Sequence, residues 1–295
     1  MNATTDPNDL FGDWLATRGS PHTVRSYRRS VGEFLRAVGK PASEVTIDDA
    51  AHYTATLWRQ PLGKASIANY VSAIRSFLRY CQRRQILPRY PLDALERPNV
   101  KVTSMGRYLN RDEAEALIRG AGEVSPQARL AVSSMLLTGI RVGELARAEW
   151  RDLFLNEEGL IGWVVCGKGD TKRVVAVRDD LWCLLAGERC RRGLGVDLDA
   201  RDRCPLLENR LGTGYSTVGI WKLVRRAALR SGIRKPISPH WLWHTFGTLA
   251  ARSGATAFQI QRDMGHAHVE TSERYIHLPP ELSDSVSFGL RISLS

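Results

Sequence analysis

Arg141, Lys168, His240, His266 and Tyr275 form an ordered set of side chains able to do chemistry on a phosphodiester. Guanidinium and ammonium groups hold an anionic phosphate and neutralise charge that builds on it. An imidazole or ammonium can protonate a leaving oxygen. A tyrosine hydroxyl can attack as nucleophile. No metal is required for such a reaction. His266 and Tyr275 are nine residues apart, a spacing that a helix end and a short turn fold into one pocket.

Local sequence says how these groups are held. Thr138-Gly139-Ile140-Arg141 puts an arginine at a helix start just after a glycine turn, where a forked guanidinium can take two phosphate oxygens. Ile161–Cys166 and Arg173–Val177 are β-rich runs around the tight turn Gly167-Lys168-Gly169-Asp170. They predict a hairpin with a mobile cation at its tip. Ser238-Pro239 opens a helix carrying His240, and His266 follows Gly265. Asn110 with Glu113 reads as a capping box. Further helices are expected at 126–138, 179–192, 216–231, 240–253 and 256–264.

The first hundred residues read as a helical bundle. A helix starting at Ser20-Pro21 repeats Val24, Tyr27, Val31, Phe34, Leu35 and Val38 at helical spacing. Thr46 with Asp49 opens a second. A third, from about Ser66, lines up Ile67, Tyr70, Val71, Ile74, Phe77, Leu78 and Cys81. Arg25, Arg28, Arg29 and Arg36 mark a basic face on the first, and Arg75, Arg79, Arg83 and Arg84 one on the third. Two such faces in one bundle predict DNA contact, and Lys172 with Arg173 extends it beside the hairpin. The expected division is a bundle over 1–97, a linker over 98–106, a second domain over 107–280 and a tail over 281–295. In the tail Val286, Phe288, Leu290, Ile292 and Leu294 alternate with polar residues or glycine. That period of two predicts a short strand for a sheet edge, on this chain or a neighbouring subunit.

The 295 residues are 43% hydrophobic, enough to build real cores and exclude global disorder. The net charge of +11 favours a polyanionic partner. Residues 1–100 carry 14 Lys+Arg against 9 Asp+Glu and the remainder 28 against 22, so both parts are basic. Five cysteines without a CxxC pair indicate neither a disulfide framework nor a zinc site. They are expected to be reduced thiols, mostly in the core. His244, His268 and His277 beside His266 fit no standard zinc spacing, so no metal or cofactor is expected. The polar start and the lack of a long apolar run predict a cytoplasmic protein without a membrane segment.

Five stretches in order give the set a family. The chain reads TGIRVGEL (138–145), GKGDTKR (167–173), SPHWLWHTF (238–246), MGH (264–266) and YIH (275–277). These resemble the arginine box, hairpin lysine, histidine–arginine box, glycine–histidine pair and nucleophile motif of the tyrosine recombinases. That family includes phage integrases and Xer-like recombinases of chromosomes and mobile elements. The resemblance implies a mainly α fold with a small β-hairpin or sheet, in which a SAM-like core-binding domain precedes the catalytic domain. It implies double-stranded DNA as partner and a homo-tetramer on two DNA sites, with a partner recombinase as an option. Carried over, Arg141 clamps the scissile phosphate and Lys168 protonates the leaving 5′ oxygen. His240 and His266 assist proton transfer and stabilise charge, and Tyr275 forms a 3′-phosphotyrosyl bond.

Two residues depart from the pattern. Trp243 stands at the family's second catalytic arginine, and an indole offers one neutral N–H and no charge. Losing one preorganised donor costs ~10²–10³ in rate, so impaired cleavage is expected. Gly143, where serine is frequent, is expected to alter only the local turn. Arg234 and Arg252, the arginines nearest in sequence, do not share the position. Two alternatives share these residues: a DNA-binding relative or variant that cleaves poorly, and a type IB topoisomerase.

Overall fold

Apolar stripes and caps set the helices, and the stripes bury against one another within each of two units, Met1–Val102 and Thr103–Ser295. The computed structural model describes residues 7–18, 21–99, 107–167, 171–266 and 268–276. Among them the fold is mainly α-helical with one small antiparallel sheet.

The N-terminal unit holds α1 (Pro7–Ala16), α2 (Pro21–Val38), α3 (Ile47–Leu57) and α4 (Lys64–Arg83). The expected stripe on α4 is its buried face, from Ile67 through Phe77 to Cys81. Thr46 caps α3: its hydroxyl accepts the Asp49 N–H, and the Asp49 carboxylate accepts the Thr46 N–H. The sequence reading began the bundle at Ser20 and missed α1. That helix inserts Trp14, fully buried, between Tyr27 and Phe77, with ring centroids 5.5 and 5.2 Å away.

Arg25, Arg28, Arg29, Arg79 and Arg83 are exposed. Arg75 is not available in the same way. Its Nε donates to the Leu92 carbonyl at 2.7 Å and its Nη2 pairs with Asp93 at 2.8 Å, tying the turn at Leu92–Ala94 to α4. Arg75 thus serves the bundle rather than an open basic face.

In the C-terminal unit α5 (Arg111–Val124), α6 (Pro126–Thr138), α8 (Asp179–Arg191) and α9 (Thr217–Arg230) bury a common core. The expected capping box on Asn110 and Glu113 starts α5. The sheet runs β1 (Leu153–Leu155), β2 (Ile161–Cys166), β3 (Lys172–Val177) in antiparallel order. It has one strand more than the hairpin expected. Cys166 pairs with Lys172, and the Gly167 N–H closes the turn on the Thr171 carbonyl at 2.7 Å. Lys168 and the tail strand expected over 286–294 lie outside the described residues.

The remaining helices are α7 (Val142–Leu145), between α6 and β1, and α10 (Pro239–Arg252), α11 (Ala257–Met264) and α12 (Glu270–Ile276), after α9. Of the cysteines only Cys81 is buried; Cys166, Cys183 and Cys190 are exposed and Cys204 is intermediate. The thiols are not core residues as a group, because α8 turns Cys183 and Cys190 to the surface.

Candidate active site

Helix α6 ends at Gly139, whose left-handed φ of 65° turns the chain out of the helix. A Cβ there would lie 2.4 Å from the Phe246 ring, so glycine is required twice over. The turn delivers Arg141 to the start of α7. Glu144, three residues on, accepts the Arg141 N–H at 2.7 Å and its guanidinium at 3.1 Å.

Arg173 completes this frame. Its two terminal nitrogens donate to both Glu144 oxygens at 2.9 and 2.7 Å, and its Nε donates to the Asp263 carbonyl at 2.8 Å. The side chains of Glu144 and Arg173 are 5% and 10% exposed, so this is an interior ion pair. Burial pushes the Glu144 carboxyl up, but hydrogen bonds from Arg173 and the Arg141 backbone outweigh it and hold it below the usual range. Arg173, expected to face DNA, is therefore a structural clamp between β3, α7 and α11. Lys172, its neighbour, is exposed.

Helix α10 carries His240, Trp243, His244 and Gly247 at the i, i+3, i+4, i+7 spacing of one face. Trp243 is 7% exposed and sits at the centre of the cluster. It stacks on His240 at 5.4 Å and meets His266 edge-on at 5.0 Å. The Arg141 guanidinium lies 4.9 Å from its ring centroid. Among the described residues its indole N–H finds no hydrogen-bond partner. Arg252 reaches Tyr108 from the far end of α10, at 3.2 Å, and Arg234 is exposed.

α12 brings the tyrosine in. Tyr275 is 4% exposed and its ring lies parallel to that of His266, 6.1 Å away. Gly247 makes this possible, since a Cβ there would lie 2.9 Å from Tyr275 Cζ and from Met264 Sδ. His266 Nδ1 is 2.6 Å from the Ser272 hydroxyl, which fixes the ring. Arg141 also donates to the Gly265 carbonyl at 3.1 Å, joining the arginine box to the histidine segment. The structure thus brings Arg141, His240, Trp243, His266 and Tyr275 together.

Three contributors were missed in the sequence reading. His244 lies 2.8 Å from the Tyr275 hydroxyl through Nδ1 and 3.0 Å from His240 Nε2 through its own Nε2. Glu144 organises both arginines, and its capping spacing after Arg141 is the signal that could have found it. Arg107 acts on His240: burial lowers the pKa of that imidazole first, with the positive charges of Arg107 and Arg141 adding to the effect. Gly143 has open space beyond its Cα, with Arg147 the nearest atom at 3.6 Å from a built Cβ. Among the described residues no three His, Cys, Asp or Glu side chains converge as a metal cage.

Comparison with known proteins bears directly on this constellation. The phage integrase family matches residues 107–281, and its N-terminal SAM-like domain matches residues 9–85. The tyrosine recombinase XerD of Oceanobacillus iheyensis is 30% identical over 281 residues, covering 92% of each chain. The crystal structure of XerH site-specific recombinase bound to palindromic difH substrate superposes with a TM-score of 0.73 at 20% identity, covering 92% of this chain and 81% of that one. A lambda integrase tetramer bound to a Holliday junction gives a TM-score of 0.72 at 18% identity, covering 91% and 76%. The chain belongs to the phage integrase family, the site-specific tyrosine recombinases.

Proposed function

We propose that this chain cuts and rejoins duplex DNA through a 3′-phosphotyrosyl bond to Tyr275, at a rate reduced by Trp243. The observation carrying this reading is the Tyr275 hydroxyl, buried 2.8 Å from an imidazole within one cluster that also contains Arg141 and His266. A free phenol with pKa about 10 is only about one part in a thousand ionised at pH 7. A nucleophilic tyrosine therefore needs neighbours that take its proton and stabilise charge. Arg141 clamps the phosphate. Lys168, which falls between β2 and β3 in sequence, protonates the leaving 5′ oxygen. His266 and His240 stabilise the charge that develops.

The covalent bond conserves the energy of the broken phosphodiester, so a new 5′ hydroxyl can displace the tyrosine without ATP. Exposed Arg25, Arg28, Arg29, Arg79, Arg83 and Lys172 supply phosphate contacts. Assembly follows the four-subunit arrangement named for the lambda integrase structure, with four protomers on two sites. The domain division proposed is DNA binding over 1–97, a linker over 98–106 and catalysis over 107–280.

A second reading is a relative that assembles on DNA but cleaves poorly. It is favoured by Trp243, which occupies the centre of the cluster with an indole where two fixed guanidinium groups would otherwise share a phosphate. Trapping on nicked duplexes separates the two readings. A pool with randomised flanks is incubated with the protein and with Trp243→Arg, and SDS-resistant adducts are collected. Adducts from the unchanged protein support the recombinase; adducts from Trp243→Arg alone support the poorly cleaving relative.

A further inference from the structure

Three side chains form a continuous hydrogen-bonded line: Tyr275 Oη to His244 Nδ1 at 2.8 Å, then His244 Nε2 to His240 Nε2 at 3.0 Å. The first two are 4% exposed, whereas His240 reaches solvent. An ordinary buried histidine satisfies itself on backbone carbonyls or hydroxyls. Here both ring nitrogens of His244 face groups that can gain or lose a proton, and the line runs from a buried nucleophile to the surface. Gly247 and His244 lie on the same face of α10, so the glycine that admits the tyrosine ring also sets the hydroxyl against His244.

Resting on the recombinase reading of the site, we propose that His244 and His240 relay the Tyr275 proton to solvent as the phenol attacks. The O–H bond of Tyr275 breaks while its oxygen bonds phosphorus. His244 Nδ1 takes that proton and its Nε2–H proton passes to His240 Nε2. His240 then releases its Nδ1–H proton to water. On rejoining, the sequence reverses and returns a proton to the departing phenolate. The relay requires His240 to be neutral with Nε2 open as an acceptor. Its depressed pKa, from burial and the charges of Arg107 and Arg141, agrees with that state at neutral pH. His244 touches the reacting oxygen and is on this account a catalytic residue.

Two measurements test the relay. The first needs no DNA: nitrogen-15 imidazole spectra of the free protein report which ring nitrogens carry protons. The relay predicts that His244 carries its proton on Nε2 with Nδ1 bare, and the opposite tautomer overturns it. The second uses covalent trapping in whichever background forms adducts, unchanged or Trp243→Arg. His244→Gln and His244→Asn should slow adduct formation ~10²–10⁴-fold, the contribution of one general base. Replacing Tyr275 by 3,5-difluorotyrosine, a phenol that ionises near neutrality, should restore most of that loss. An equal loss with both phenols, or no loss at all, would make His244 a structural residue and sink the relay. If no background forms adducts while His244 shows the expected tautomer, the recombinase reading fails instead.

Discussion

The guanidinium of Arg141 lies 4.9 Å from the centroid of the Trp243 ring, while Glu144 and the Gly265 carbonyl hold its nitrogens. Trp243 therefore supports the arginine it stands beside, through an attraction worth ~0.5–2 kcal/mol. It cannot share the charge of a phosphate held there.

Replacing Trp243 by arginine is expected to have opposite effects on stability and activity. A second guanidinium close to Arg141 repels it when no phosphate is present, and stability should fall by about 1–3 kcal/mol. With DNA bound the same pair shares the anion, and adduct formation should rise ~10²–10³-fold. Urea denaturation and single-turnover trapping read the two effects. A variant both more stable and no faster would show that Trp243 does not occupy a phosphate-binding position.

The Glu144–Arg173 pair should behave as a frame. Arg173→Met leaves a buried carboxylate without its main partner, a loss of ~3–5 kcal/mol. In a unit of this size that lowers Tm by about 10 °C, checked by calorimetry. Lys172→Met, one residue away and exposed, should leave Tm within about 1 °C.

Gly247→Ala should separate folding from chemistry. Its Cβ would meet Tyr275 and Met264 at 2.9 Å, and overpacking of this kind costs ~1–3 kcal/mol. The helix can keep its shape, but the tyrosine must retreat from His244. Adducts should disappear while DNA binding persists, read by trapping and by gel shift on the same preparation.

Charge and its location set DNA affinity. Log affinity should fall linearly with log salt, and a flat response would contradict DNA binding through these arginines. Arg79→Ala and Arg83→Ala should each reduce the slope by about 1 when their phosphate contact is lost. Arg75→Ala should instead weaken the bundle, seen in its thermal melt, because its guanidinium binds Leu92 and Asp93.

His240 gives a pH dependence with a defined sign. Its folded pKa is lowered, so between that value and about 6.5 the unfolded chain binds the extra proton. Stability contributed at this site should rise with pH through that window and level off above it. A carbon-13 titration of His240 should place its midpoint below the ordinary imidazole value. A midpoint above it would reverse the sign.

Much of the site could be read from spacing. His240, Trp243 and Gly247 fall on one helical face, and a glycine turn ahead of Arg141 announces how it is presented. Arg173 was misread although the signal was there. On β3 it alternates in step with buried Val175 and Val177, so period two places it inward. Arg75 likewise borders the apolar stripe, four residues after Val71 and three before Leu78. A basic residue at such an edge can bend back to the backbone as easily as it can face DNA. Helix α1 was legible too: Pro7 opens it, and Leu10, Phe11, Trp14 and Leu15 recur at helical spacing. The partnership of His244 with Tyr275 spans 31 positions and two helices, and only packing reveals it.

The most direct test of the account is to identify the residue that carries the DNA. Adducts trapped on nicked duplex, from the unchanged protein or from Trp243→Arg, would be digested with protease and nuclease and sequenced by mass spectrometry. The account predicts a nucleotide on the peptide containing Tyr275, and no adduct from Tyr275→Phe. A nucleotide on any other residue, or adducts undiminished in Tyr275→Phe, would contradict it.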